Sequence, residues 1–362
     1  MESVVLDQIL RCQARCEELV AQQRYAEALP LCEEALLRMR DLDGGDSPDV
    51  ANLLCDRAEL LQKLGRFTQA EHDGARALQI LAPLIDRLPF PEGVVLRLRA
   101  LGVHGTMLRE LGRYEAALSP LREAVALAEA SFGQTQEFLA RALNDVGIVG
   151  KYMGRFAEAE KAYRRALRIV ESSAIPDPML RATLYHNLGG LEHARGNFQK
   201  AEPLARQAVE IRRAHCGADH PATLADTVAY AAILDGLRRF AESEPIYRSA
   251  LAHYERSVGP DHYEVAALLN NLAALLHSTG RAPESEAAYR RALRIKESLF
   301  GAAHVEVALS QYNLAVLLFD LDRAAEARLL LFAARRVLDQ AVPASHPVAR
   351  ACREHALAHA VS

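Results

Sequence analysis

The chain has 362 residues, with 43 Lys plus Arg against 47 Asp plus Glu, for a formal net charge of −4. So mild a balance excludes the strongly basic footprint of a general nucleic-acid coat, and no stretch approaches the roughly 18 apolar residues of a membrane span. Half the residues are hydrophobic, a quarter are charged and the mean hydropathy is −0.05, the composition of an ordinary folded chain. Six cysteines are too few for a disulfide scaffold and read as reduced thiols of a cytoplasmic protein. The start, Met1-Glu2-Ser3-Val4, lacks the basic and apolar pattern of a secretory signal.

Along the chain one turn recurs. It is Gln23-Arg24-Tyr25 first, then Gly65-Arg66-Phe67, Gly112-Arg113-Tyr114, Gly154-Arg155-Phe156 and Gly196-Asn197-Phe198. It weakens to Arg238-Arg239-Phe240, Gly280-Arg281-Ala282 and Asp322-Arg323-Ala324. The third residues are spaced by 42 in six of seven intervals and by 47 in one, so eight copies of one unit fill the chain. Three residues after each of these positions stands Ala or Ser, from Ala28 to Ala327, and ten after it always Ala, from Ala35 to Ala334. Nine before it stands Cys16, Ala58, Gly105, Gly147, Gly189, Ala231, Ala273 or Ala315. Small residues at constant places on two helix-periodic segments let the two backbones approach closely. Each unit is therefore a helical hairpin that buries its apolar face only by stacking on its neighbours.

The units predicted are about 3–41, 48–84, 92–132, 135–174, 177–216, 219–258, 261–300 and 303–341, a single all-α solenoid domain over 1–362. Between later units a linker repeats, as Gly217-Ala218-Asp219-His220-Pro221, Gly259-Pro260-Asp261-His262, Gly301-Ala302-Ala303-His304 and finally Ser345-His346-Pro347. Glycine suits the C-terminal cap of one helix and proline the first turn of the next. The last linker introduces a capping helix over 345–361. The long interval adds five residues around 83–91, where Pro83, Pro89 and Pro91 forbid a continuous helix and Phe90 is a candidate contact.

Chemistry-bearing clusters read mostly as structure. His220, His262, His304 and His346 recur one period apart, about 10 Å from one repeat to the next, too far for zinc, whose nitrogen ligands sit at about 2.0–2.1 Å. They are expected to be loop histidines. Cys12, Cys16, Cys32 and Cys55 fall on core registers, and Cys352, His355 and His359 share a face of the cap with no catalytic signature. Gly147-Ile148-Val149-Gly150-Lys151-Tyr152 lacks the spacing of a phosphate loop and lies within a helix. No nucleophile elbow, metalloprotease pair or dinucleotide fingerprint occurs, so no enzyme, metal or cofactor is expected.

The turn, the small residues after it and Asn187-Leu188-Gly189 resemble tetratricopeptide repeats. The 42-residue period with Gly-x-Asp-His-Pro linkers is similar to the longer repeats of kinesin light chains and their bacterial relatives. That resemblance implies a superhelix whose first helices line the concave face. The positions it assigns there supply Arg99 and Arg109 in repeat three, Arg141, Asn144 and Lys151 in repeat four, and His186 and Asn187 in repeat five. Repeats seven and eight supply Asn270, Asn271, Tyr312 and Asn313. Peptide-binding members use such an asparagine against the ligand backbone, a task suited to a group that both donates and accepts. Arg99, Arg109, Arg141 and Lys151 concentrate positive charge in two adjacent repeats, which an acidic partner would use. The function expected is that of an adaptor gripping a protein or peptide segment in this groove, with a peptide-responsive regulator or a non-catalytic subunit as alternatives. No nucleic acid or membrane partner is expected, and the oligomeric state is left open.

Overall fold

The computed structural model describes residues 2–22, 24–84, 87–133, 137–175, 177–342 and 346–359. Gln23, Ile85, Asp86, Ser345, the expected start of repeat four at 135 and the end of the expected cap at 360–361 lie outside them. The described residues form seventeen α-helices. The first three hairpins are α1 (Glu2–Ala21) with α2 (Tyr25–Asp43), α3 (Pro48–Lys63) with α4 (Phe67–Leu81), and α5 (Glu92–Glu110) with α6 (Tyr114–Phe132). Then come α7 (Glu137–Tyr152) and α8 (Phe156–Ser172), α9 (Pro178–Ala194) and α10 (Phe198–Cys216), and α11 (Pro221–Gly236) and α12 (Phe240–Ser257). The last pairs are α13 (Tyr263–Ser278) with α14 (Ala282–Phe300) and α15 (Val305–Asp320) with α16 (Ala324–Ala341), followed by α17 (Pro347–Ala358). The chain is an all-α solenoid of helical hairpins.

Contacts group the residues into two compact units, 1–149 and 150–362, with the division inside α7. In each unit a helix packs chiefly on its hairpin partner and on the next helix in the chain. First helices also touch first helices, α3 on α5 in the first unit and α9, α11, α13 and α15 in succession in the second. The residues nine before each turn are where the helices cross. A methyl group added at Gly105 would stand 2.5 Å from Leu121, and one at Gly189 would stand 3.2 Å from the backbone nitrogen of Ala205.

The turn needs a left-handed residue, and Gly65, Gly112, Gly154, Gly196 and Gly280 supply it at φ between 70 and 77°. Where glycine is lost the backbone keeps the same shape, so Arg238 sits at φ 60° and Asp322 at φ 57°. A non-glycine residue there costs roughly 1–2 kcal/mol, of which glycine's extra freedom in the unfolded chain returns part. Arg238→Gly is therefore expected to stabilise the second unit by about 0.5–1 kcal/mol, seen as a higher urea midpoint with an unchanged slope.

The arginine of the turn has a partner in the preceding repeat. Arg281 reaches Glu244 at 2.6 Å, Arg323 reaches Glu286 at 2.7 Å, and Arg195 reaches Glu160 at 2.6 Å where Asn197 occupies the turn itself. The same glutamates take the arginine one turn ahead on their own helix, as Glu160 takes Arg164 and Glu244 takes Arg248, both at 2.7 Å. An ion ladder thus runs along the outside of the second unit. The linker histidines are helix caps: the Nδ1 atoms of His220, His262 and His304 accept from the backbone N–H of Ala222, Glu264 and Glu306 at 3.2–3.3 Å. His346 precedes α17 without such a bond.

Candidate functional site

In the first unit, α3, α5 and α7 enclose a cleft of about 500 Å³. Its apolar wall comes from Val95, Leu98, Val103 and Met107 of α5, and its polar rim from Glu59, Arg99, Thr106, Arg141 and Asp145. A second cleft of about 420 Å³ lies between α1 and α3, lined by Cys16, Val20, Tyr25, Leu53 and Leu60, and shares Glu59 with the first. The fold brings these residues together because first helices stack side by side, so equal registers on neighbouring helices face one hollow. The repeat-one cleft went unnoticed in the sequence. Val20 occupies the register of Arg109, with Gln13, Glu17 and Ala21 at those of Gly102, Thr106 and Glu110 on the same stripe, so applying the stripe to repeat one would have found it.

The insertion between repeats two and three contributes at the cleft's edge. Phe90 is 65% exposed, with its ring 5.6 Å from that of Phe132, which stacks at 5.0 Å on Phe138, a lining residue. An aromatic row therefore leads from the lengthened loop to the groove.

Electrostatically the cleft differs from the expectation. Arg99 donates to Asn52 at 2.6 Å, Asp56 at 2.7 Å and Glu59 at 3.0 Å. Burial opposes its charge, but Glu59 and Asp56 outweigh burial and hold its pKa above the usual arginine value. Arg109 donates to Glu110 at 2.8 Å, and Arg141 to Glu137 at 2.7 Å. The concentration of positive charge read from Arg99, Arg109 and Arg141 is thus offset by carboxylates from α3, α5 and α7: Glu110 lies on the same stripe, and Asp56 and Glu59 lie on the matching registers of repeat two. Asp145 carries the unusual group. Burial pushes its carboxyl up to about 6, against the opposing pull of Arg109, the amide of Asn144 and Arg141.

The other expected residues differ in burial. Asn144, Asn187 and Asn270 are buried. Asn144 donates to Asp145 at 3.4 Å, and Asn270 donates to Ser310 at 2.8 Å while its own oxygen is buried without a partner among the described residues. Asn270 thus meets a neighbouring helix, and Asn187 is buried although it holds the same register as Asn271 and Asn313. In the second unit Asn271, Asn313, Lys151 and His186 are half-exposed. Lys151 lies 5.4 Å over the ring of Tyr152. His186 gives Nδ1 to Asp226 at 2.9 Å, and Arg212 holds the other oxygen of that buried carboxylate at 2.7 Å. Asp226 stands where other repeats carry Ala142 or Leu268, a break in the pattern that could have marked it. Tyr312 meets His355 of α17, hydroxyl to Nδ1 at 3.0 Å.

All six cysteines are free thiols. Burial pushes Cys55 up to about 12 and Cys352 up to about 11, and lifts Cys32 well above the usual range, so these sulfurs are protonated packing groups. Among the described residues no three His, Cys, Asp or Glu side chains are disposed to hold a metal ion, and no helix is long and apolar enough to cross a membrane.

A model of the tetratricopeptide repeat matches residues 9–82, 96–172, 180–256, 227–298 and 264–340. No curated protein matches the sequence. Among solved structures, the apo form of the quorum sensor NprR from B. thuringiensis is 14% identical with a TM-score of 0.62, covering 93% of this chain and 88% of that one. A Rap protein complexed with Competence and Sporulation Factor is 13% identical with a TM-score of 0.59, covering 99% and 98%. A putative kinesin light chain of Podosopora anserina is 18% identical with a TM-score of 0.44, covering 56% and 95%. These likenesses are of fold. With the repeat, its turn, its crossing glycines and its stacked first helices in place over most of its length, the chain belongs to the tetratricopeptide repeat family.

Proposed function

We propose that the protein acts by binding rather than catalysis, as a cytoplasmic interaction protein that takes an extended protein or peptide segment along the first helices of its repeats. The observation that carries this reading is the cleft between α3, α5 and α7, where an apolar wall meets Arg99, Arg141 and Asp145. A wall of this kind takes apolar side chains, while a few polar groups orient the ligand. Two readings follow with equal support. As an adaptor, the chain holds one partner stably. As a regulator, it changes its affinity for a second protein when a short peptide binds, and the quorum sensor NprR and the Rap protein complexed with its factor share its fold. Native pull-down with mass spectrometry separates the two. One stable partner favours the adaptor, and a peptide that alters a second association favours the regulator.

An acidic segment is the finer proposal. Its carboxylate would displace Glu137 from Arg141, a half-exposed pair of the kind worth only about 0.2–1 kcal/mol, and arginine can grip it with two parallel hydrogen bonds. Asp145 is the competing negative charge, and it is lost as pH falls through about 6. Binding of the captured partner is therefore expected to strengthen between pH 7.5 and 5.5 and to weaken in high salt. Asp145→Asn should flatten the pH profile, and Arg109→Glu with Arg141→Glu should weaken binding with the helical signal unchanged. Binding indifferent to both charge reversals, to salt and to pH would reject the acidic ligand. Loss of binding after Val95→Glu, at a half-exposed lining position and with the helical signal unchanged, would still uphold the cleft.

A further inference from the structure

The outer ladder of the second unit breaks in its last repeat. At one register of the second helices stand Glu160, Glu202, Glu244 and Glu286, and four residues on stand Arg164, Arg206, Arg248 and Arg290. In repeat eight the same two places are Arg328 and Phe332. The charge has reversed at the first place and become aromatic at the second. Leu329, beside them, stands where earlier repeats carry Lys161, Pro203, Pro245 and Ala287.

On α16, Arg328, Leu329, Phe332 and Arg336 follow the i, i+1, i+4, i+8 spacing that places them on one face. All four are exposed, Leu329 at 75% and Phe332 at 71%. The ladder does not neutralise this face, because Glu326 is already held by Arg323 and by Arg290 at 2.6 Å. Arg335 pairs with Asp339 at 3.2 Å, whereas Arg328 and Arg336 have no carboxylate partner among the described residues. Two large apolar side chains between two unpaired guanidiniums on a rigid helix form a compact, positively charged anchor surface. Aromatic and arginine residues are the groups that dominate binding energy at protein interfaces.

We propose that this outer face of α16 docks an acidic amphipathic segment of a partner protein, with Leu329 and Phe332 entering its apolar face and Arg328 and Arg336 pairing with its carboxylates. A second copy of the same face is disfavoured by charge, since each copy would set its guanidiniums against the other's. The face belongs to the second unit and both clefts to the first, so the protein would have a separate partner for each.

The test pans a display library of random 16-residue peptides on the full chain, after depletion on Leu329→Ser/Phe332→Ser. Circular dichroism and melting are expected to be unchanged in that variant, since both side chains face solvent. The surviving peptides should be rich in Asp or Glu alternating with apolar residues at helical spacing. They should lose about tenfold or more in affinity on Arg328→Glu/Arg336→Glu. Survivors without acidic bias, survivors that bind that charge variant equally, or no survivors at all would overturn the proposal. Two controls decide the other occupants. Sedimentation with vesicles of phosphatidylserine and phosphatidylcholine that disappears in Leu329→Ser/Phe332→Ser would assign the face to a membrane surface instead. Concentration-dependent self-association abolished by the same variant would assign it to a second copy.

Discussion

Arg57→Ala is expected to lower the stability of the first unit by about 3 kcal/mol, at the lower end of what removing one partner of a buried pair costs. Arg57 on α3 donates to both oxygens of Asp73 on α4, at 2.7 and 2.6 Å, and Asp73 is only 1% exposed. Taking the guanidinium away leaves a carboxylate inside the hairpin with neither water nor countercharge. The pair itself need not be favourable, because burying both charges has already cost solvation. Arg57→Met with Asp73→Leu should therefore recover most of the loss, and urea unfolding of wild type, single and double variants measures the difference. A single variant as stable as wild type would mean that water reaches Asp73 once the arginine is gone.

Gly105→Val should cost about 3 kcal/mol, the upper end for overpacking a core. The first side-chain atom would lie 2.5 Å from Leu121 Cδ2 and 2.6 Å from its Cγ, and Leu121 is itself almost fully buried. The position lies at the crossing of α5 and α6, so a branched side chain can be accommodated only by prising the hairpin apart. Gly105→Ala is the milder case. Repeat eight pairs Ala315 with Leu331 at the same two registers, which shows that the leucine has a rotamer compatible with one methyl group. A loss of about 1 kcal/mol or less is expected there, since alanine also gains about as much in helix propensity. Thermal and urea melts of both variants against wild type check the order, and equal melts for valine and alanine would contradict it.

The repeat architecture was legible in the sequence because its causes are local and periodic. A left-handed turn residue, a small residue at each helix crossing and an apolar stripe every 3.6 residues each leave a mark at a constant offset. Even the residues that break the rule kept the shape, as Arg238 and Asp322 do at positive φ, because neighbouring repeats impose it. The cap was found within a few residues of α17, and the linker histidines were found as structural groups without their role as helix caps.

Charge and exposure at the groove were decided only in three dimensions. A stripe on one helix shows which residues share a face, but not what the next helix sets opposite them. Arg99 is recognisable as a concave residue, while Asp56 and Glu59, 43 and 40 positions earlier, are its partners only because α3 and α5 stack. Asn187 shares its register with Asn271 and Asn313 yet is buried where they are half-exposed, so packing of neighbouring helices and not register sets the difference. The acidity of Asp145 has the same origin, since burial against neighbouring helices raises it and no spacing along the chain encodes that burial. Periodicity is written in the order of residues; electrostatics depends on distance through space, and folding brings together residues the chain keeps far apart.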